Sequence, residues 1–91
     1  MKNFIDIDGN LIDSDSINCV TKIRENYGFE LSTHARFEFR VEYGFSYLLF
    51  VESFKVGLFS NIPKSQVEKD NALQKLSNRR DEILKLIKSA E

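Results

Sequence analysis

Arg36-Phe37-Glu38-Phe39-Arg40-Val41-Glu42-Tyr43-Gly44-Phe45-Ser46-Tyr47-Leu48-Leu49-Phe50-Val51-Glu52 is the stretch that decides the fold. Phe37, Phe39, Val41 and Tyr43 alternate with Arg36, Glu38, Arg40 and Glu42. Successive strand side chains point to opposite faces, so this pattern buries one face and solvates the other. After Gly44 the apolar run hardly alternates, which suggests a strand covered on both faces. The pair predicts an edge-like strand feeding a central one, the nucleus of an antiparallel sheet.

Upstream, Phe4, Ile5 and Ile7 precede Asp8-Gly9-Asn10, and Leu11 and Ile12 follow. Asp-Gly between apolar pairs is a hairpin signal, since both residues tolerate positive φ. Asp13-Ser14-Asp15-Ser16 is dense in side chains that bond their own backbone, so it turns or caps. The next segment has two readings. Ile17, Cys19, Thr21 and Ile23 fit a strand, whereas Ile17, Val20, Arg24 and Tyr27 fit a helix with Arg24 on its apolar face. The strand is favoured. Asn26-Tyr27-Gly28 then turns, and Phe29 to Thr33 leads into the decisive stretch.

Downstream, Pro63 fits a helix start, and Ser65-Gln66-Val67-Glu68 is a capping box. Ala72, Leu73, Leu76, Ile83, Leu84 and Ile87 then recur at helical spacing on one stripe. Arg80 falls on that stripe, so either it snorkels at the edge or the helix breaks near Ser77-Asn78. The expected fold is α+β: an antiparallel β-meander of about five strands with one long C-terminal helix packed on one face. Residues 1–91 form a single domain, β-rich over 1–62 and helical over 63–90. Phe37, Phe39, Val41, Tyr47, Leu49, Leu73, Leu76, Ile83 and Ile87 are the expected core. Leu48 and Phe50 are then left on the other face, as an apolar surface for a protein partner. Self-association, as a homodimer through that face or through the sheet edge, is a further expectation.

Composition sets the bounds. With 91 residues, 42% hydrophobic, 30% charged and eight Phe, the chain suits one folded domain with a modest core. A formal net charge of −1 gives no general pull toward nucleic acid or anionic lipid. The one cysteine, Cys19, cannot close an internal disulfide, which fits a cytoplasmic location. The start Met-Lys-Asn-Phe-Ile-Asp lacks the apolar core of a signal peptide, and no run is long enough to span a bilayer. No membrane association, cofactor or metal is expected.

Three short motifs suggest chemistry. Asp6-Ile7-Asp8 resembles the first motif of haloacid-dehalogenase-type phosphatases, which would make Asp6 the nucleophile and Asp8 the acid/base. That chemistry needs a further Lys, a later carboxylate pair and a parallel sheet roughly twice this chain's length. Asp6, Asp8 and Asn10 also match the first calcium-loop ligands, but Leu11 stands at the turn Gly and Ile17 at the bidentate position. Tyr43-Gly44-Phe45-Ser46-Tyr47-Leu48-Leu49-Phe50 resembles the RNP1 octapeptide of RNA-recognition motifs. The resemblance implies that Phe45 and Tyr47 stack bases and Phe50 packs the core. Tyr43 stands where that motif places a basic residue.

Gly9 to Val20, with Leu11, Ile12, the Asp13–Ser16 cluster and Ile17, resembles the opening of short bacterial and phage proteins of the flagellar FlbD-like and PH-like type. The tail from Ala72 to Ile87 resembles their closing helix. The resemblance implies a small accessory protein without catalytic residues. The segment from Ser53 to Lys64, with Phe54, Val56, Leu58 and Phe59, departs from it and could add a strand. His34, Cys19, Ser53 and Ser60 have no partner in sequence that would make a catalytic set. The expected function is therefore a non-enzymatic protein-binding module, of phage or mobile-element type, acting on a host protein. The alternative is a single-stranded RNA or DNA binder using Phe45 and Tyr47.

Overall fold

Asp8 and Gly9 set the first hairpin. In the computed structural model, which describes residues 3–27, 33–58 and 62–90, strand β1 (Phe4–Ile7) runs antiparallel to β2 (Asn10–Asp13). Asp8 at φ 52° and Gly9 at φ 81° form the mirror-image turn that matches strand twist. The Gly9 amide donates to Asp6 Oδ1 at 2.8 Å, closing the turn. Asp13 then caps a 3-10 turn over Ser14–Ser16, its carboxylate accepting the Asp15 N–H at 3.0 Å.

The second sheet is built on β5 (His34–Tyr43). Strands β3 (Ile17–Val20) and β4 (Arg24–Asn26) both lie antiparallel along one side of it. They are successive pieces of one bent strand. Val20 faces Val41 and Arg24 faces Glu38, so four steps on one strand match three on the other. A further irregularity lies between Ile17 and Cys19. Each extra residue bends the strand as a bulge does. Thr21 bridges the gap: its N–H donates to Arg40 C=O at 2.8 Å, and its Oγ1 accepts the Arg40 N–H at 2.7 Å.

On the other side of β5 lies β6 (Ser46–Lys55), paired along its whole length from Tyr43↔Ser46 to His34↔Lys55. The connecting turn is Gly44-Phe45, with Gly44 at φ 53°, where glycine is favoured in a two-residue hairpin loop. Asn18 Nδ2 and the Ser16 carbonyl both bond Gly44, pinning the hairpin to β3.

Helix α1 (Gln66–Ser89) crosses the inner face without a break at Ser77-Asn78. The Glu68 N–H donates to Ser65 Oγ at 3.2 Å, but the Glu68 carboxylate accepts from the Lys55 amide instead of completing the box. Ala72, Leu76 and Ile83 meet Phe37, Phe39, Val41, Phe50, Phe54 and the isoleucines of the first hairpin in one core. Lys69 and Arg79 hold their charged ends over the Phe54 and Phe50 rings, each 5.7 Å from the ring centre. Asn3 Nδ2 donates to the Ala90 carbonyl at 2.6 Å, joining the helix end to the first hairpin.

The α+β architecture and the long C-terminal helix are as expected, with six strands among the described residues, four of them short and β5 and β6 ten residues each. Several details differ. The alternating strand β5 is central and the apolar strand β6 is the edge, the reverse of the expectation. Alternation reports which faces are buried, not which side has a neighbour. Tyr47 and Leu49 are exposed, while Phe50 is buried and Leu48 half-buried against the core, so the two faces of β6 are exchanged. Leu73 is exposed on α1. Ser53 and Phe54 belong to β6, which ends at Lys55, and Val56 makes only an isolated bridge to Pro63, so no added strand follows among the described residues. Gly28, the lead-in over 29–32, Phe59 and Ser60 lie outside the described residues.

Candidate functional site

The outer face of the four-stranded sheet carries two parallel rows. On β5, Arg36, Glu38, Arg40 and Glu42 alternate in sign. Beside them on β6, at paired positions, stand Ser53, Val51, Leu49 and Tyr47. Cross-strand partners share a face, so charge and apolar surface lie side by side. Tyr47, Leu49 and Val51 are 54%, 44% and 38% exposed, although Tyr and Val in a strand of a single covered sheet are commonly packed.

The charged row is internally paired. Glu38 is only 4% exposed. Its carboxylate takes Arg24 Nε and Arg36 Nε, each at 3.2 Å, from the neighbouring and its own strand. Arg40 pairs with Glu42 at 3.2 Å and holds its guanidinium 5.4 Å from the centre of the Tyr47 ring. The Cys19 thiol donates to Glu42 Oε2 at 3.2 Å. That hydrogen bond, with some desolvation and the carboxylate charge, raises the thiol pKa above its ordinary value, and Arg40 only partly opposes it. A raised pKa keeps Cys19 protonated and poorly nucleophilic. On the other face, Tyr27 donates its hydroxyl to the Glu25 carboxylate, which likewise raises the phenol pKa.

At one side of β6 the helix leaves an open cleft of about 520 Å³, walled by Leu49 to Glu52 and by Lys75, Arg79 and Glu82. Lys75 reaches Glu52 at 3.5 Å, and Arg79 is shared between Asp8 and Glu82. At the far tip of the hairpin, Phe45 is fully exposed.

The residues singled out from sequence fall as follows. Leu48 and Phe50 point to the helix; Phe50 stacks on Phe39 with ring centres 4.9 Å apart. They are core-facing and do not form a partner surface. Phe45 and Tyr47 are both exposed. Asp6 serves the turn at Gly9, and Asp8 faces Arg79, on an antiparallel hairpin rather than a parallel sheet. His34 begins β5 with Nδ1 3.1 Å from Thr33 Oγ1. The exposure of Leu49 and Val51 does not show in the apolar run itself, although the two-residue turn carries the signal. With Tyr43 facing Ser46, the buried odd residues of the first strand pair with even residues of the second.

Among the described residues no group of three or more His, Cys, Asp or Glu is placed to hold a metal ion, and no helix is long and apolar enough to cross a membrane. No family model, curated protein or solved structure matches the chain.

Proposed function

We propose that the chain is a small non-enzymatic protein-binding module whose contact surface is the outward face of β6. The observation that carries this reading is the row Tyr47, Leu49, Val51, which leaves apolar side chains exposed beside a self-neutralised row of charges. An apolar strip rimmed by polar groups is the composition of an interface core. The residues that carry chemistry in other settings are engaged structurally here, as Asp6 with Gly9 and Cys19 with Glu42. Glu38 pairs with two arginines, so the charged row beside the apolar one is already neutralised within the chain.

The test compares the wild type with Leu49→Lys and Leu84→Lys in affinity capture from the native cell. Leu84 is an exposed helix residue and serves as the control. A partner retained by wild type and Leu84→Lys but lost by folded Leu49→Lys is the expected result. Loss through both variants, or through neither, argues against this surface.

A second reading, single-strand RNA or DNA binding, draws on the exposed Phe45 and Tyr47 rings and on Arg40 over Tyr47. Stacking platforms of this kind sit in positive grooves. Here Glu38 and Glu42 alternate with Arg36 and Arg40 along the row, which disfavours a phosphate backbone. An electrophoretic shift with short RNA and DNA that weakens steeply with salt would favour the second reading over the first.

A further inference from the structure

The two edges of the four-stranded sheet are treated differently. The β3–β4 edge is bent by its slips against β5 and carries Lys22 and Arg24. Bulges and charges of this kind discourage a second chain from pairing. The β6 edge is straight in register from Ser46 to Lys55, and its outward-pointing positions up to Ser53 hold no charge, proline or bulge.

Which backbone groups that edge offers follows from the ladder. The Val56 amide donates to Thr33 C=O at 2.9 Å, so even-numbered residues of β6 spend their backbone groups on β5. Odd-numbered residues point theirs away. Of these, Lys55 is closed on both counts: its amide donates to Glu68 Oε1 at 3.2 Å, and its carbonyl accepts the Lys64 N–H at 3.0 Å. Tyr47, Leu49, Val51 and Ser53 have no strand beside them among the described residues. The cleft between β6 and α1 opens along this stretch, with Asp8 of the first hairpin also on its wall.

We propose that a second copy of this chain occupies the edge, β6 pairing antiparallel with β6 about a two-fold axis through Phe50. This deepens the protein-binding reading and rests on it. Outward groups come from odd residues, so hydrogen-bonded pairs must set odd against odd. The axis through Phe50 satisfies that, placing Leu49 against Val51 of the second copy and Tyr47 against Ser53. The two apolar rows then meet side by side. The helix above is self-complementary about the same point. Arg79 holds its guanidinium 5.7 Å from the Phe50 ring centre, which puts the helix midpoint near the axis. Rotation about that axis brings the helices together antiparallel, so Lys75 approaches Glu82 of the second copy. Arg79 brings its own counter-charges, Asp8 and Glu82, to the seam. An isologous contact of this kind needs the same patch to fit itself, and here strand and helix share one centre.

Sedimentation equilibrium on the wild type, Val51→Lys, Lys75→Glu and the Lys75→Glu/Glu82→Lys pair tests the assignment, with circular dichroism verifying that each variant is folded. The expected result is a wild-type dimer, a folded monomer for Val51→Lys, weakened association for Lys75→Glu and recovery in the exchanged pair. Amide exchange should slow with concentration at Tyr47, Leu49, Val51 and Ser53 but not at Leu48 or Phe50, which are already bonded to β5. A wild type that stays monomeric at all concentrations overturns the second-copy assignment, as does a Val51→Lys variant that still dimerises. Neither outcome touches the capture experiment with Leu49→Lys, so the two readings fail separately.

Discussion

Arg80 Nε donates to the Thr21 carbonyl at 2.9 Å, tying the middle of the helix to the gap between β3 and β4. The same threonine holds Arg40 through its amide and its hydroxyl. A cation on the apolar stripe of α1 is therefore neither a break nor a loose end. It satisfies a carbonyl that the register slip releases from the ladder, where a buried unpaired group is costly.

Removing that tie should be felt as a loss of stability. A hydrogen bond from a charged donor contributes about 1.5–3 kcal/mol when well shielded, and this one is part-buried, so about 1–2 kcal/mol is expected for Arg80→Ala. In a domain of this size each kcal/mol moves Tm by roughly 4–8 °C. Thr21→Val, which strips only the hydroxyl from the Arg40 amide, should cost about 1 kcal/mol. Thermal melts followed by circular dichroism measure both. A melt unchanged in Arg80→Ala would mean that the carbonyl finds water instead.

The orientation of β6 has an equally direct test. Phe50→Lys places an unpaired charge against Phe39 and the helix, at a cost of several kcal/mol. Total stability for a chain of this length is about 5–13 kcal/mol, so that variant should be unfolded or nearly so. Leu49→Lys, one residue away on the open face, should melt within a few degrees of wild type. The reverse order of the two melts would invert the faces.

Much of the fold is legible because it is locally encoded. Asp8-Gly9 supplies positive φ, Asp13 supplies a cap, and Ser65 supplies a helix start, each within a few residues. The faces of β6 are not encoded that way. From Tyr47 to Val51 every residue is apolar, so alternation is silent and only the turn at Gly44-Phe45 carries the phase. Edge and centre were also exchanged, because the charges on β5 could be read as solvated. Glu38 is instead covered, held by Arg24 from a strand twelve or more residues earlier in sequence. The roles of Arg80 and Glu68 depend on partners far along the chain, Thr21 and Lys55, which no local pattern reveals.

The first hairpin separates backbone from charge. Gly9→Ala puts a Cβ on a residue at φ 81°, a strained conformation costing about 1–2 kcal/mol, although nothing crowds the position. Asp8→Asn keeps a side chain that tolerates positive φ but removes the charge facing Arg79. Surface pairs of this kind contribute about 0.2–1 kcal/mol. The Asp8→Asn loss should fade as salt is added, whereas the Gly9→Ala loss should not. Denaturant titrations at low and high ionic strength distinguish them.

Cys19 is exposed but should react slowly. Its thiol donates to Glu42, which raises the pKa above the ordinary value of 9.0, and Arg40 pulls the other way. Only the thiolate attacks, so at neutral pH the reactive fraction falls as the pKa rises. The rate of labelling by a thiol reagent should climb with pH along a curve displaced upward from that of a free cysteine. Glu42→Gln removes the carboxylate charge and should shift the curve back down, speeding labelling at neutral pH. Arg40→Gln removes the opposing cation and should slow it further. Equal rates in all three proteins would mean that the thiol faces water and not Glu42.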